Sequence, residues 1–494
     1  MKTIVSATLD GFDAKVVDVE VAFVRALPSF TIVGLAQTSI QESKERVKSA
    51  LSTIDFKFPP QKVTVNLSPS DLRKEGSHFD LPIAMLIALQ KEKVEFEGFM
   101  AFGELGLDGT LKDTKSLFAI ILSLVQEGKV TKVIIPKESV EKISKIPNLE
   151  IYPAQNLEEA LAIFMLPQTA VKCDSSVIEE VYHDNYLLDF SEIKGQENAK
   201  RASLIAAAGM HNILFEGSPG CGKTMSAKRL QYILSPMTKE EVLYKAKLDA
   251  LDGKEPDFSI TRPFRSPHHS ATRASIFGGG SKNAKIGEVA LAHNGILYFD
   301  EFPHFPKVIL ESLREPLEDY KVLISRVNNK IEYQTKFLFI ASMNPCPCGN
   351  LLSTKKDCRC SDLEIKRYKN RLSSPLLDRI DLYVQMEEIS AEDKATVTSK
   401  QMHTQVKSAT ALQEKRGQSE RNGKMSDGDV DKFCKLDSES QSVLENASNR
   451  FDLSQRAIKK CLKVARTIAD LDAIKDIQKV HLIEALRYRT MPVS

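Results

Sequence analysis

A glycine-rich octapeptide, GSPGCGKT at residues 217–224, is the feature that most constrains the fold of this chain. It follows the apolar run 212–216, which we interpret as a buried strand, and it leads into a helical stretch. In such a setting backbone N–H groups wrap phosphate oxygens, a lysine reaches the β- and γ-phosphates, and a threonine ligates Mg²⁺. We predict that ATP and Mg²⁺ bind through Gly217, Ser218, Pro219, Gly220, Cys221, Gly222, Lys223 and Thr224.

Two later strands end in side chains that suit hydrolysis. The run 295–299 ends in Asp300 and Glu301. We expect Asp300 to hold Mg²⁺ together with Thr224, and Glu301 to orient the attacking water, because phosphoryl transfer needs positioning and charge neutralisation. The run 337–343 ends in Asn344, whose amide could reach the same water or the γ-phosphate. Each could alone be an ordinary strand end or turn, so their order along the chain favours this interpretation.

The bulk properties limit the classes of protein. A length of 494 residues exceeds a single core, which stops growing at roughly 250–300 residues. The net charge of +2 means that any nucleic-acid contact must come from a local patch or a pore. The first 15 residues have no apolar signal segment, and the longest apolar run, 117–125, is too short to cross a bilayer. We therefore expect a cytoplasmic protein that does not enter a membrane.

The chain divides into four stretches of different character. Residues 1–170 alternate short apolar strands with helical segments and read as an α/β domain. Residues 171–187 are polar and irregular, as in a linker. Residues 188–395 contain every nucleotide motif, and residues 396–494 are mostly helical. The sequence thus predicts an α/β fold with a P-loop ATPase core and a helical lid.

Four cysteines lie within fifteen residues, at Cys346, Cys348, Cys358 and Cys360. Four thiolates on a short loop could enclose a structural Zn²⁺ tetrahedrally. Each pair is separated by one residue, where zinc ribbons usually have two, so reduced thiols without metal remain the alternative. A disulfide is less expected in a reducing compartment.

Several longer strings carry a resemblance to a known family. The strings are RPFRSPHHSATRASIFGGG (262–280), GEVALAHNGILYFDE (287–301), NPCPCG (344–349) and RLSSPLLDRIDL (371–382). They resemble the ComM/YifB family of magnesium-chelatase-like AAA+ ATPases, and the resemblance covers essentially the whole chain. It implies a ring-forming motor, expected to be a hexamer, whose AAA+ core carries a helix-2 insert and a pre-sensor hairpin.

Two arginines acquire a role from this resemblance. Arg379 would be an arginine finger that enters the neighbouring subunit's site, where its guanidinium stabilises transition-state charge. From the residues alone, Arg379 would instead be a structural residue paired with Asp378 or Asp381. Arg456, at the start of the amphipathic stretch that Ser454 would cap, would sense the γ-phosphate by its position in the lid.

The candidate DNA contacts lie in two segments that face the central channel in related rings. A channel lined by Arg and Lys would hold phosphates without reading bases. The adjacent histidines at 268 and 269 have no third neighbouring ligand, which disfavours a metal site there. The insert and the hairpin supply the candidates Arg262, Arg265, Arg273, Arg326 and Lys330.

The first domain resembles the proteolytic domain of Lon. Aligning on Lys74 and Gly76 puts His78 at the position of the nucleophile, with Ser77 one residue away. The position of the activating lysine falls near Phe118, so the Ser–Lys pair is not preserved. We predict an inactive domain that serves as a scaffold or a collar for DNA.

Three functions are compatible with the nucleotide motifs, because a motor's fold does not name its cargo. The leading hypothesis is a DNA translocase or branch-migration helicase that acts on recombination intermediates in natural transformation or DNA repair. The second is the motor subunit of a metal chelatase, which would need partner subunits that this chain does not encode. The third is an ATP-dependent protease or remodeller.

Overall fold

The computed structural model describes residues 2–92, 98–176, 178, 186–279, 285–325, 330–390, 392–451 and 453–489. The chain forms two compact units. The first contains residues 1–180, 239–259 and 329–331, and the second contains the rest. Among the described residues, no helix is long and apolar enough to span a membrane.

The first unit is built on a mixed seven-stranded sheet. Apolar side chains alternate along its strands, as in Asp13–Val24, where the buried residues Val17, Val19 and Val21 lie on one face. The sheet has the order β3-β4-β2-β1-β5-β8-β9. Its strands, with the short pair β6 and β7, are β1 (Thr3–Asp10), β2 (Asp13–Val24), β3 (Ser29–Val33), β4 (Lys62–Ser68), β5 (Phe99–Ala101), β6 (Glu104–Leu105), β7 (Leu111–Lys112), β8 (Lys132–Pro136) and β9 (Glu150–Ala154).

Helices cover this sheet and complete the core of the first unit. The most apolar of them, over Leu117–Gln126, is almost entirely buried and contacts β1 and β2. The helices are α1 (Thr38–Thr53), α2 (Asp80–Ala88), α3 (Leu117–Gln126), α4 (Val140–Ile143) and α5 (Leu157–Met165). This unit therefore has its own hydrophobic core.

The second unit begins with α6 (Glu197–Gly209), β10 (Ile213–Gly217) and α7 (Lys223–Ile233). Immediately afterwards the chain leaves it, because residues 239–259 fold as part of the first unit. Helix α8 (Lys239–Leu251) packs against α3, and its buried Lys247 lies 3.2 Å from the Asp13 carboxylate. The sequence predicts that all of 188–395 belongs to the ATPase core, whereas the structure places residues 239–259 in the first unit. The physical reason is that α8 buries its apolar face against α3 of the first unit.

The second unit is centred on a parallel five-stranded sheet in the order β11-β14-β17-β10-β18. All residues of β10, β14 and β17 are buried, as expected for a parallel sheet covered on both faces. Because the strands are parallel, the loops at their carboxyl ends meet at one edge. Strands β12–β13 and β15–β16 form two separate two-stranded pairs. The strands after β10 are β11 (Phe264–Arg265), β12 (Gly278–Gly279), β13 (Lys285–Ile286), β14 (Ile296–Phe299), β15 (Lys321–Ser325), β16 (Lys330–Gln334), β17 (Leu338–Met343) and β18 (Leu382–Met386).

Short helices connect these strands, and longer helices form the carboxy-terminal part. Strands β15 and β16 pair with each other at the position of the predicted hairpin. The short helices are α9 (Arg273–Phe277), α10 (Glu288–Leu291), α11 (Lys307–Ser312), α12 (Arg314–Glu318), α13 (Asp362–Lys369) and α14 (Ser374–Leu377). The later helices are α15 (Ser399–Lys415), α16 (Asp427–Phe433), α17 (Ser438–Phe451), α18 (Gln455–Leu471) and α19 (Lys479–Arg487).

Helix α18 joins the later helices to the sheet. Ser454 caps it by accepting a hydrogen bond from the Ala457 N–H, as the sequence predicts. Its Lys460 Nζ lies 2.8 Å from the buried carboxylate of Asp381, which also accepts from the Asn212 N–H at 2.9 Å. Burial by itself would raise the pKa of Asp381, but Lys460 and His211 together outweigh burial and hold this pKa well below its usual value. A buried ion pair thus connects α18 to the strand ends of the core.

Candidate nucleotide-hydrolysis site

The glycine-rich loop between β10 and α7 has the backbone of a phosphate-binding loop. Gly220 and Gly222 have φ of +82° and +97°, in the left-handed region that favours glycine. A Cβ at Gly217 would lie 2.9 Å from the carbonyl oxygen of Met386. The geometry therefore requires glycine at three positions of the motif. The loop ends at the N-terminus of α7, which begins at Lys223.

Lys223 lies across this loop and contacts the end of another strand. Its Nζ donates to the carbonyl oxygens of Gly217 at 2.5 Å and Ser218 at 3.0 Å, and to Asn344 Oδ1 at 3.1 Å. Burial lowers the pKa of Lys223. The structure thus brings together the predicted lysine and the predicted amide. The ammonium group and the loop N–H groups are donors that suit phosphate oxygens.

Oxygen atoms suited to Mg²⁺ meet beside the lysine. Thr224 Oγ1 donates to Asp300 Oδ2 at 3.2 Å, and Ser342 Oγ donates to the other oxygen of Asp300. The hydroxyl of Tyr298 lies 3.3 Å from Thr224 Oγ1. Hydroxyl and carboxylate oxygens are the ligands that Mg²⁺ prefers, so Thr224 and Asp300 fit their predicted role.

Ser342 and Tyr298 are not among the sequence candidates. Each is a polar side chain inside an otherwise apolar, fully buried strand, and that contrast is the signal that could have identified them. Their mutual hydrogen bond is 3.1 Å long. They orient Asp300 and Thr224, and burial raises the pKa of Tyr298 so that it stays a neutral donor.

Glu301 follows Asp300 with an unusual backbone conformation. Its φ of +50° lies in the left-handed region, which non-glycine residues rarely adopt and which tends to occur at functional positions. Its side chain is 50% exposed, and its Oε2 lies 3.3 Å from His304 Nδ1 and 3.7 Å from His269 Nδ1. The predicted water-orienting residue is thus accessible and flanked by two imidazoles.

Arg379 and Arg456 meet at one carboxylate. Arg379 Nη2 lies 3.1 Å from Glu318 Oε2, and Arg456 forms an ion pair with the same oxygen. Arg379 and Glu318 border a cavity of about 790 Å³, which Arg273 and Arg314 also line. Arg379 also donates to the carbonyl oxygens of Arg314 at 3.3 Å and of Pro375. Its carboxylate partner is Glu318, whereas the structural alternative from the sequence expected Asp378 or Asp381.

The four cysteines form one cluster. Their Sγ atoms all lie within 4.8 Å of one another, with separations of 3.4 Å for Cys346 to Cys348 and 3.7 Å from each of these to Cys358. A ZnS₄ tetrahedron with Zn–S bonds near 2.3 Å has edges of about 3.8 Å. The fourth thiol is that of Cys360. The cluster fits a tetrahedral metal ion.

The cysteine loop also contacts the phosphate loop. Gly349 has a φ of +81°, and a Cβ there would lie 2.7 Å from the Pro219 ring. Asn344, two residues before the first cysteine, bonds Lys223 as described above. The metal-binding candidate and the nucleotide site are therefore directly packed together.

Arg262 has a different role from the one expected. It is buried, and its guanidinium donates to the carbonyl oxygens of Ser235 and Asn294 at 2.6 Å and of Pro236 at 3.1 Å. These hydrogen bonds connect the segment that precedes β11 to the loops that contain Ser235, Pro236 and Asn294. Arg262 is therefore a structural residue, and we do not retain it as a DNA contact, because a guanidinium committed to buried carbonyls cannot reach phosphates.

The other DNA candidates are placed as follows. Arg273 is exposed at the start of α9, and Lys330 is exposed at the start of β16. Arg265 is half-buried, with its Nε 4.0 Å from the Glu288 carboxylate. Arg326 lies outside the described residues.

In the first unit, the residues aligned with the Lon motif are engaged in packing. Ser77 Oγ donates to the Glu104 carboxylate, and Lys74 is buried with its ammonium on the Pro69 carbonyl oxygen. His78 Nε2 lies 2.7 Å from the Ala7 carbonyl oxygen, and burial lowers the pKa of His78 to about 4.

The parallel sheet, the phosphate loop and the polar strand ends define a P-loop ATPase of the AAA+ class. The sequence matches three family models, described as "Magnesium chelatase, subunit ChlI" over 189–394, "Subunit ChlI of Mg-chelatase" over 19–139 and "Magnesium chelatase, subunit ChlI C-terminal" over 396–489.

Similarity to individual proteins extends over nearly the full length. The chain is 38% identical to Competence protein ComM of Haemophilus influenzae, covering 97% of this chain and 96% of that protein. It is 36% identical to the uncharacterized protein YifB of Escherichia coli, covering 97% and 95%. Lon protease 2 of Bacillus subtilis is 26% identical over 212 residues, 41% of this chain and 34% of that protein. The chain belongs to the ComM/YifB family of magnesium-chelatase-like AAA+ ATPases.

Proposed function

We propose that this protein is an ATP-driven DNA motor, a hexameric branch-migration helicase that acts on recombination intermediates in the cytoplasm during natural transformation or DNA repair. One observation carries the proposal: the similarity to a protein named for competence covers 97% of the chain, including the unit that precedes the ATPase core. Similarity of that extent supports a shared activity better than a shared ATPase core would, because P-loop cores serve many functions.

Hydrolysis follows from the residues at the strand ends. Lys223 and the loop N–H groups would hold the β- and γ-phosphates, and Thr224 and Asp300 would hold Mg²⁺. When bound, Mg²⁺ neutralises charge on the phosphate oxygens. Glu301 would orient the attacking water, while Asn344, which accepts a hydrogen bond from Lys223, would reach that water or the γ-phosphate.

Completion of the site requires a neighbouring subunit. Arg379 and Arg456 share Glu318 at the rim of a large open cavity, which supports their joint presentation to another chain. A guanidinium supplied in trans stabilises transition-state charge and makes hydrolysis depend on assembly. Closed rings generate such head-to-tail contacts, and a hexamer is the state that we propose.

DNA would contact basic side chains of the insert and the hairpin, of which Arg273 and Lys330 are exposed. The contacts that we propose are Arg265, Arg273, Arg326 and Lys330, which would bind backbone phosphates and not bases. A structural Zn²⁺ in the Cys346, Cys348, Cys358 and Cys360 cluster completes the proposal, since the sulfur separations fit its tetrahedron.

Two alternatives are weaker. The family models named for magnesium chelatase favour a chelatase motor, yet that activity would require further subunits. A protease is disfavoured because Ser77 donates to Glu104 and Lys74 is buried. The first unit is better explained as an inactive scaffold.

Hydrolysis coupled to DNA movement tests the proposal. Wild-type protein with ATP and Mg²⁺ should move a four-way junction or unwind a forked duplex. Glu301→Gln should bind ATP but lower turnover by about 10²- to 10⁴-fold and stop DNA movement, because the water loses its orienting carboxylate. The matched control is Glu45→Gln, an exposed residue of the first unit, which should behave as wild type. If neither branched nor single-stranded DNA stimulates ATP hydrolysis by the wild-type protein, the DNA-motor proposal is wrong.

A further inference from the structure

Helix α13, which follows the cysteine cluster, has a buried face and an exposed face. Its buried residues are Ile365 and Tyr368. Lys366 and Arg367 are exposed. With 3.6 residues per turn, these two cations lie on the side of the helix opposite to the buried pair. The helix therefore presents positive charge on the surface of the second unit.

Contacts on the buried side and at the helix start fix the position of α13. Lys369 Nζ lies 3.7 Å from Oε1 of Glu216, which is buried in β10 immediately before the phosphate loop. At the other end, the Ser361 N–H donates to the Glu364 carboxylate at 2.8 Å in a capping box. The exposed cations take no part in these contacts, so they can bind a ligand without disturbing the helix.

Positive charge accumulates in the sequence around this exposed face. Segment 355–371 contains seven Lys and Arg residues against three Asp and Glu residues, a net charge of +4, whereas the whole chain has a net charge of +2. One of the three carboxylates, Glu364, is engaged in the cap. The negative charge of a ZnS₄ centre would be smaller than this excess. The segment is thus a local basic region of the kind that a nearly neutral chain needs to contact nucleic acid.

Five exposed cations of this segment form the surface that we call the α13 patch. They are Lys356, Arg359, Lys366, Arg367 and Arg371. Within the part of the chain that the structure describes, none of their side-chain nitrogens lies within 4.0 Å of a carboxylate oxygen. Their charge is therefore available to an external anion, in contrast to that of Lys369.

The composition of this segment favours a duplex over a single strand. The one aromatic residue in segment 346–371 is Tyr368, and it is buried. Binding of single strands relies on exposed aromatic rings on which bases stack. Duplex DNA instead offers one negative charge per about 1.7 Å of its axis, and an eight-residue helix such as α13 is about 12 Å long. An arm of duplex lying along α13 would therefore bring several phosphates to the patch.

We propose that the α13 patch is a second DNA-binding surface, separate from the insert and the hairpin, which binds the backbone of a duplex arm. This inference rests on the proposed DNA function and adds to it a surface for the double-stranded part of the substrate. The contacts are made to phosphates, so this binding is independent of base sequence and weakens as the salt concentration rises.

Equilibrium binding of labelled duplex and single-stranded oligonucleotides of equal length, measured over a range of salt concentrations, tests the proposal. The full-length protein is used with Mg²⁺ and a non-hydrolysable ATP analogue. Lys366→Gln/Arg367→Gln should weaken duplex binding about tenfold. It should also lower the slope of log K against log salt concentration by about 1.8, because each lost phosphate contact removes about 0.9. The affinity for the single strand should stay close to that of wild type, because that binding depends more on stacking.

A second pair of substitutions tests the same surface through other residues. Arg359→Gln/Arg371→Gln, on either side of the helix, should lower the duplex slope by a similar amount. The matched control is Lys432→Gln/Lys435→Gln, which removes the same charge from exposed positions at and after the end of α16. It should keep the wild-type affinity and slope. Denaturant unfolding of each variant checks that it is folded.

Unchanged duplex affinity and slope in both patch variants would overturn the proposal, and the DNA motor would stand if forked DNA still stimulates ATP hydrolysis by the wild type. A loss of affinity confined to the single strand would overturn the assignment to a duplex arm. If the patch variants lose duplex binding but no DNA stimulates hydrolysis by the wild type, the patch stands and the motor fails. A wild type that binds neither oligonucleotide would refute both.

Discussion

At the residue scale, Asp381 illustrates how one buried charge stabilises the second unit. It lies two residues after Arg379, and it is paired with Lys460, bonded to the Asn212 N–H and 3.8 Å from His211 Nδ1. Removing one partner of a buried ion pair leaves the other charge uncompensated, which costs about 3–5 kcal/mol.

We expect Asp381→Asn to lower the free energy of unfolding by about 3 kcal/mol at pH 7. The pKa of Asp381 is depressed in the folded state, so its stabilisation is fully present above the unfolded pKa of about 3.9 and is lost as the pH falls further. The difference between wild type and variant should therefore shrink below about pH 4. Denaturant unfolding of wild type and variant at pH 7 and at acidic pH measures the loss of stability and its dependence on pH.

Asp378→Asn is the control, because Asp378 is an exposed neighbour in the same segment. It should change stability by less than about 0.5 kcal/mol at either pH, as is usual for surface substitutions. A difference between wild type and Asp381→Asn that stays constant as the pH falls would mean that Asp381 is not held charged by Lys460.

At the scale of elements, the cysteine loop and the phosphate loop form one packed structure. Gly349 has a positive φ and leaves no room for a side chain against Pro219. The same loop follows directly from Asn344, which bonds Lys223. A metal ion that sets the shape of the cysteine loop would therefore also set the position of the phosphate loop.

We expect Cys358→Ser to abolish stoichiometric zinc binding and to weaken ATP binding about tenfold, equivalent to about 1.4 kcal/mol. Metal analysis of the purified protein and titration with a fluorescent ATP analogue are the two measurements. Cys173→Ser, in the first unit and outside the cluster, should retain both properties. Loss of zinc with unchanged ATP affinity would show that the two loops are independent, and wild-type protein without zinc would refute the metal site.

At the scale of the whole molecule, the ATP site is divided between subunits in our proposal. The residues around Lys223 and Glu301 hold and hydrolyse ATP, while Arg379 and Arg456 gather at Glu318 beside an open cavity. Such a division predicts that two inactive variants can complement each other.

Mixing Glu301→Gln with Arg379→Ala before ring assembly should restore ATP hydrolysis. With random pairing at equal amounts, about one interface in four joins an intact Glu301 site to an intact Arg379. The recovered rate should approach that fraction of wild type. Glu301→Gln mixed with the double variant Glu301→Gln/Arg379→Ala contains no complete interface and should stay inactive. If both mixtures remain inactive while rings form, Arg379 does not act in trans.

The sequence by itself determined the ATPase class and most of the chemistry at the strand ends. The octapeptide around Lys223, the pair at Asp300 and Glu301, and Asn344 are local patterns, because each combines a buried strand with the polar residues that follow it. Parallel strands then bring those ends to one edge of the sheet, so the order of the motifs along the chain was sufficient to predict that they lie together. The cap at Ser454 could also be predicted from local sequence, because a capping hydrogen bond joins residues only three positions apart.

Tertiary structure alone decided the contacts between segments distant in sequence. It assigned α8 to the first unit, buried Arg262 among backbone carbonyls, gathered Arg379 and Arg456 on one carboxylate, and placed His269 beside Glu301. None of these has a periodic or local signal, because the partner of each residue depends on which strands become neighbours and on which face remains uncovered.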